Sequence, residues 1–139
     1  MFEAIAGITG LSLSQAKALN IPAESVVVHR EHHTNYYPGA ETVTVKLIYH
    51  KETGEVLGGQ TAGYKGADRR LDVIATAIAG KLTIYDLADI DFAYSPPLGT
   101  ANDAINMAAF VAENRKSGFS PSLTAAEIDA YIALTNPLI

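Results

Sequence analysis

A β-hairpin is written into the middle of this chain. Thr42 to Tyr49 (Thr-Val-Thr-Val-Lys-Leu-Ile-Tyr) alternates apolar and polar residues, as a strand with one buried face does. Lys51-Glu52-Thr53-Gly54 follows as a loop in which Gly54 is free to take positive φ, and Glu55 to Ala62 returns as the partner strand. Strands joined by so short a loop are antiparallel neighbours, which commits the chain to an antiparallel sheet. Gly58-Gly59 in the return strand leaves room for a bulge or a close backbone approach.

The other elements read as short pieces around that hairpin. Phe2 to Ile8 alternates loosely as a strand that starts without a polar lead-in, as though the chain continued a longer one. Ser12 or Ser14 can cap a helix to about Leu19, and Glu24 to Thr34, with three successive valines, reads as another strand. Asp68 can cap a helix to about Ala79 with Leu71, Ile74, Ala75 and Ile78 on one face. Arg69 and Arg70 at its amino end oppose the helix dipole, so partners are expected outside the helix. Thr83 caps a short turn, and a helix from about Asn102 to Arg115 carries a small-residue face of Ala104, Ile105, Ala108, Ala109, Val111 and Ala112. Lys116 to Pro121 has linker composition. Thr124-Ala125-Ala126-Glu127 is a capping box for a last helix to about Leu134, stopped by Asn136-Pro137, and Leu138-Ile139 then begins a strand.

Between the middle helices lies Tyr94-Ser95-Pro96-Pro97. The prolines have fixed φ and no N–H, so the segment is expected to be a stiff extended rod ending at Gly99. Such a rod either presents the Tyr94 phenol to a ligand or partner, or carries a half-buried aromatic across a core edge. Tyr36 and Tyr37 sit in a similar turn closed by Pro38-Gly39. A phenol can donate a hydrogen bond to a developing thiolate or oxyanion. His29, His32 and His33 cluster, but no carboxylate completes a first shell at metal spacing, so surface or ligand-adjacent imidazoles are expected and no metal site.

Several classes are excluded by what the chain lacks. It has no cysteine, hence no thiolate metal site and no thiol–disulfide exchange of its own. Its net charge of −5 opposes nucleic-acid binding, and no apolar run approaches the roughly 20 residues that span a bilayer. A cytoplasmic location is expected, since Met1-Phe2-Glu3 lacks a basic signal start. No Gly-x-Gly-x-x-Gly opens a helix after a strand, and no nucleophile elbow is present. At 139 residues there is room for one domain of ordinary size.

Taken in order, Thr9-Gly10-Leu11-Ser12, Tyr37-Pro38-Gly39-Ala40, Val45-Lys46-Leu47-Ile48-Tyr49, Thr53 to Gln60, Ala67 to Ile78, Tyr94-Ser95-Pro96-Pro97 and Asp103 to Ala108 form a connected pattern. The pattern resembles the carboxy-terminal dimerisation domain of FAD-dependent pyridine nucleotide–disulfide oxidoreductases, within them the coenzyme A-disulfide reductase and NADH oxidase/peroxidase branch. It covers about residues 1 to 115, and Leu123 to Ile139 is similar to the opening of a rhodanese domain.

The resemblance implies three segments: residues 1–116 as the dimerisation domain, 117–123 as a linker and 124–139 as the truncated start of a rhodanese-like domain. It implies an α+β fold, an antiparallel sheet of about four or five strands with helices on one side. It implies a homodimer in which Tyr94 and Tyr36 act catalytically on a coenzyme A-type disulfide or persulfide in the partner subunit, with Tyr37 beside the substrate. The helices beginning at Asp68 and Asn102 are the expected interface. FAD and NAD(P)H belong to the parent enzyme, with no cofactor in this chain. Two alternatives are the dimerisation domain of an NADH oxidase or peroxidase, and a purely structural oligomerisation module.

Overall fold

The computed structural model describes residues 3–135; the expected strand start at Phe2, the stop at Asn136-Pro137 and the strand start at Leu138-Ile139 lie outside the described residues. The chain runs β1 (Ile5–Gly10), α1 (Leu13–Ala18), β2 (Ala23–Glu31), β3 (Thr42–His50), β4 (Val56–Gly63), α2 (Ala67–Ala79), α3 (Ile84–Ala88), α4 (Ala104–Ser117) and α5 (Ala125–Thr135). The four strands form one antiparallel sheet in the order β1-β4-β3-β2, and α2 and α4 cover one of its faces. The expected α+β architecture is the one observed.

The central hairpin forms as read, with Gly54 at φ 76°. Its bulge falls one residue before the expected Gly58-Gly59 pair: Ile48 faces Gly58 while Tyr49 faces Val56, which leaves Leu57 unpaired on β4. The Leu57 carbonyl accepts instead from the Leu11 N–H at 2.9 Å, and Gly58 lies directly against the Leu11 backbone. The close approach anticipated there is therefore real. β2 ends at Glu31 rather than Thr34 because the ladder with β3 ends at the Glu31–Thr42 pair; one further bond, from the His32 N–H to the Glu41 carbonyl, follows it before the chain turns away, and the Thr34 N–H goes to Gly99 instead.

Two helix starts differ from expectation. Asp68 is not the cap of α2: the chain enters through Gly66 at φ 72°, and Asp68 lies inside the first turn. α4 is capped by Asp103, whose carboxylate accepts from the Ile105 N–H while Asn106 Oδ1 accepts from the Asp103 N–H. Ser12 and Thr83 cap α1 and α3 as read, each through a reciprocal pair with the third helical residue.

Val26, Val28, Val43, Val45, Leu47 and Val56 from the sheet meet Ile74 and Ala77 of α2, Ile84 and Leu87 of α3, and Ala104, Ile105, Ala108, Ala109 and Ala112 of α4. The small side chains of α4 let its backbone lie close to β2 and β3, as their size suggested. That face is thereby used inside the chain, and only the outer faces of α2 and α4 remain for the dimer contact expected of them. Beyond the turn at Gly118, α5 has no buried residue. It is tethered by Arg115, whose Nη2 donates to both Glu127 oxygens at 3.0 and 3.2 Å and whose Nη1 donates to the Ser25 carbonyl. Among the described residues no helix is long and apolar enough to cross a membrane.

Candidate functional site

Two loops meet beyond the carboxyl end of β2. The first, residues 32–39, leaves the sheet when pairing stops at Glu31; the second, 91–99, leads from α3 to α4. The second is not the extended rod expected from its prolines. The Ser95 carbonyl accepts from the N–H groups of Leu98 and Gly99 at 2.9 and 3.1 Å, closing a turn over Pro96-Pro97. Proline's fixed φ suits a turn as well as a rod, and the missing N–H groups leave the closing bonds to the residues after them. Rigidity, the property the expectation rested on, is kept; the shape differs.

Thr34 joins the loops. Its N–H donates to the Gly99 carbonyl and its hydroxyl to the Pro96 carbonyl, each at 3.1 Å. The Tyr36 phenol lies beside that of Tyr94, and this neighbour, more than burial, holds the Tyr94 phenol above its ordinary value. Both rings are open to solvent, Tyr36 at 72% and Tyr94 at 48%. Tyr37 turns the other way, edge-on to the buried His33 ring at 5.6 Å and 88°. The resemblance favours Tyr36 over Tyr37 as the companion of Tyr94. The fold brings Tyr36, not Tyr37, to Tyr94.

Beneath the loops lies a buried ion pair. Arg70, 2% exposed, donates through Nη2 to Asp103 Oδ2 at 2.8 Å and to the His32 carbonyl at 2.9 Å, and through Nη1 to the Gly66 carbonyl at 3.1 Å. Asp103 is equally buried and accepts a further bond from Arg69 at 3.2 Å. One guanidinium thus ties the start of α2, the cap of α4 and the root of the Tyr36 loop. Asn106, also buried, donates to the Leu87 and Ile90 carbonyls at 3.0 and 3.1 Å and so anchors the root of the Tyr94 loop. Thr34, Arg70, Asp103 and Asn106 were not singled out as site residues. For Arg70 a signal existed, since two arginines at the positive end of a helix demand outside partners.

The histidines do not share a strand as expected. His29 alone sits on β2, its Nδ1 2.9 Å from Thr44 Oγ1, while His32 and His33 follow the strand with rings 4.2 Å apart. No group of three metal-ligating side chains occurs among the described residues. His32 Nδ1 accepts from the Glu41 N–H at 3.0 Å, so the ring there is neutral. Burial lowers its pKa first, and electrostatic repulsion from His33, Arg70 and Lys65 lowers it further, against a raising contribution from the Glu41 carbonyl 3.2 Å away. The unfolded chain therefore binds a proton on this residue more readily than the folded one, so stability rises with pH up to about 6.5, the free imidazole value, and is lost below it. Titration followed by NMR is expected to disturb the Tyr36 and Tyr37 signals as the His32 ring protonates below pH 6.5, with those of β3 unmoved; a loop unchanged to pH 4 would refute this.

The domain as a whole is similar to known proteins. The model of the pyridine nucleotide-disulphide oxidoreductase dimerisation domain matches residues 2–106. Coenzyme A disulfide reductase of Staphylococcus aureus is 35% identical over 81 residues, 58% of this chain and 18% of that protein. Among solved structures, reduced Bacillus anthracis CoADR-RHD superposes with a TM-score of 0.91 at 42% identity, covering 97% of this chain and 24% of the other. A NAD-dependent persulfide reductase from A. fulgidus gives 0.87 at 32% identity, covering 91% and 24%. The chain therefore spans about a fifth to a quarter of the length of these relatives.

Proposed function

This chain belongs to the dimerisation-domain family of the pyridine nucleotide-disulphide oxidoreductases, and from that premise we propose that it joins the subunits of a flavin-dependent NAD(P)H disulfide reductase acting on a coenzyme A-type disulfide or persulfide. The meeting of the Tyr36 and Tyr94 phenols at the end of the sheet supports the catalytic part of this reading. A phenol held above its ordinary pKa stays protonated at neutral pH, a donor and not a base. Placed against the partner subunit's substrate, Tyr94 would donate to the sulfur that leaves as a thiolate, and Tyr36 would hold the Tyr94 oxygen in line. No residue of this chain is assigned to FAD or the nicotinamide nucleotide, because it carries no glycine fingerprint after a strand. Those cofactors, and the thiol that the chemistry requires, are proposed for the part of the enzyme outside this chain. A cytoplasmic setting is proposed with them.

Residues 124–139 are proposed as the start of a rhodanese-like domain after a linker at 117–123. In support, the family match stops at residue 106 and the apolar side chains of α5, Ile128, Tyr131, Ile132 and Leu134, stand exposed.

In the full-length reductase, Tyr94→Phe and Tyr36→Phe are expected to slow reduction of coenzyme A disulfide by about 10- to 100-fold, the worth of a hydrogen bond to a charged group. Flavin reduction by NAD(P)H is expected to continue unchanged. Stopped-flow separation of the two half-reactions checks this, and unaltered disulfide turnover in both variants would leave the tyrosines as interface filling only.

A further inference from the structure

We propose that Thr34 is a positioning residue that clamps the Tyr36 turn to the Tyr94 turn through its backbone N–H and its hydroxyl. The inference rests on the reading above for its catalytic consequence, but its geometry stands apart from it. The turn over Pro96-Pro97 closes on the Ser95 carbonyl, which takes the N–H groups of Leu98 and Gly99. The carbonyls of half-buried Pro96 and buried Gly99 receive no donor from within that turn and need one from elsewhere. Thr34 meets both, from 62 residues away in sequence for the hydroxyl bond. Its own carbonyl is also engaged, accepting from the Tyr37 N–H at 3.1 Å and lying 2.8 Å from His33 Nδ1, so each polar group of Thr34 is committed. Among the described residues no other backbone or Thr/Ser hydrogen bond crosses between residues 34–39 and 94–99.

The consequence is geometric. Tyr36 lies two residues after the clamp and Tyr94 two residues before Pro96, whose carbonyl the clamp holds, so a short lever connects each phenol to Thr34. Both rings are solvent-exposed and receive little packing to fix them. Their mutual position is accordingly set by the two backbones; Arg70 and Asn106 hold the roots of the two loops, and Thr34 joins their tips to each other.

The test uses three forms of this chain, with ring-to-ring NOEs between Tyr36 and Tyr94 and the Tyr94 titration midpoint as readouts. Thr34→Val keeps the shape and removes the hydroxyl; Thr34→Ser keeps the hydroxyl and removes the methyl. Expected for Thr34→Val is loss of the NOEs and a fall of the Tyr94 midpoint toward that of a free phenol, with the far-UV spectrum unchanged. Thr34→Ser is expected to restore both. A folded Thr34→Val chain that keeps the NOEs and the midpoint overturns the proposal. If Thr34→Val does not fold, Thr34→Ser decides: retained pairing supports the clamp, and lost pairing in a folded chain overturns it. The Tyr→Phe rates in the full-length enzyme fail or succeed independently, so a correct clamp with idle tyrosines would be recognised as such.

Discussion

Replacing Asp103 with alanine is expected to cost the domain on the order of 4 kcal/mol, because it strands the Arg70 guanidinium in the interior and uncaps α4 at once. Asp103→Asn separates the two effects. Asparagine caps a helix about as well as aspartate, so the Ile105 N–H keeps its acceptor while the charge facing Arg70 disappears. About 3 kcal/mol of the loss is expected to remain in that variant. Arg69, by contrast, is half exposed and reaches the same carboxylate at 3.2 Å, so Arg69→Ala is expected to cost under about 1 kcal/mol. Removing both buried charges together, as Arg70→Met with Asp103→Asn, should cost less than the sum of the two single changes, since neither ion is then left unpaired. Urea unfolding with linear extrapolation measures all five, Arg70→Met alone included. An Asp103→Asn chain within 1 kcal/mol of the parent would show that the pair is not what joins α2, α4 and the Tyr36 loop.

The second large effect is expected at Gly58. A Cβ there would collide with the Leu11 carbonyl oxygen and approach the Leu11 nitrogen to 2.8 Å, and both are backbone atoms held by the Leu11-to-Leu57 hydrogen bond. Neither can swing aside as a side chain would, so Gly58→Ala must pry β1 and its turn from β4. A loss of about 3 kcal/mol or more is expected. Gly118 supplies the contrast. It takes φ 75° with nothing within 4 Å of where a Cβ would sit, so Gly118→Ala carries only the left-handed backbone cost of about 1–2 kcal/mol. Thermal melts of the two variants should therefore rank Gly58→Ala well below Gly118→Ala; equal melting temperatures would mean that the bulge at Leu57 yields more easily than its geometry implies.

These two sites differ in how far they could be foreseen. The Gly58-Gly59 pair marked a bulge or close approach from the strand pattern alone, and only the position moved, by one residue, because the backbone of Leu11 arrives from a different part of the chain. Arg70 announced the need for a partner through its unfavourable place in the helix dipole, but nothing local named Asp103, 33 residues on. Asp68 looked like the better cap for α2 and lost that place to a left-handed glycine, because the turn geometry at Gly66 brings its carbonyl to Arg70.

Features that involve neighbours within about four residues were readable in order along the chain: the hairpin and its Gly54, the caps at Ser12 and Thr83, the alternation of β3 and the small face of α4. Each is decided by dihedral preference, side-chain period or a hydrogen bond to an adjacent N–H, and needs no knowledge of the fold. Which phenol meets which, what holds Arg70 and why Thr34 matters were settled only when sheet and helices packed. The long-range pairings among these join residues 33 to 65 positions apart, and such contacts depend on where layers stack and where strand pairing runs out, here at Glu31.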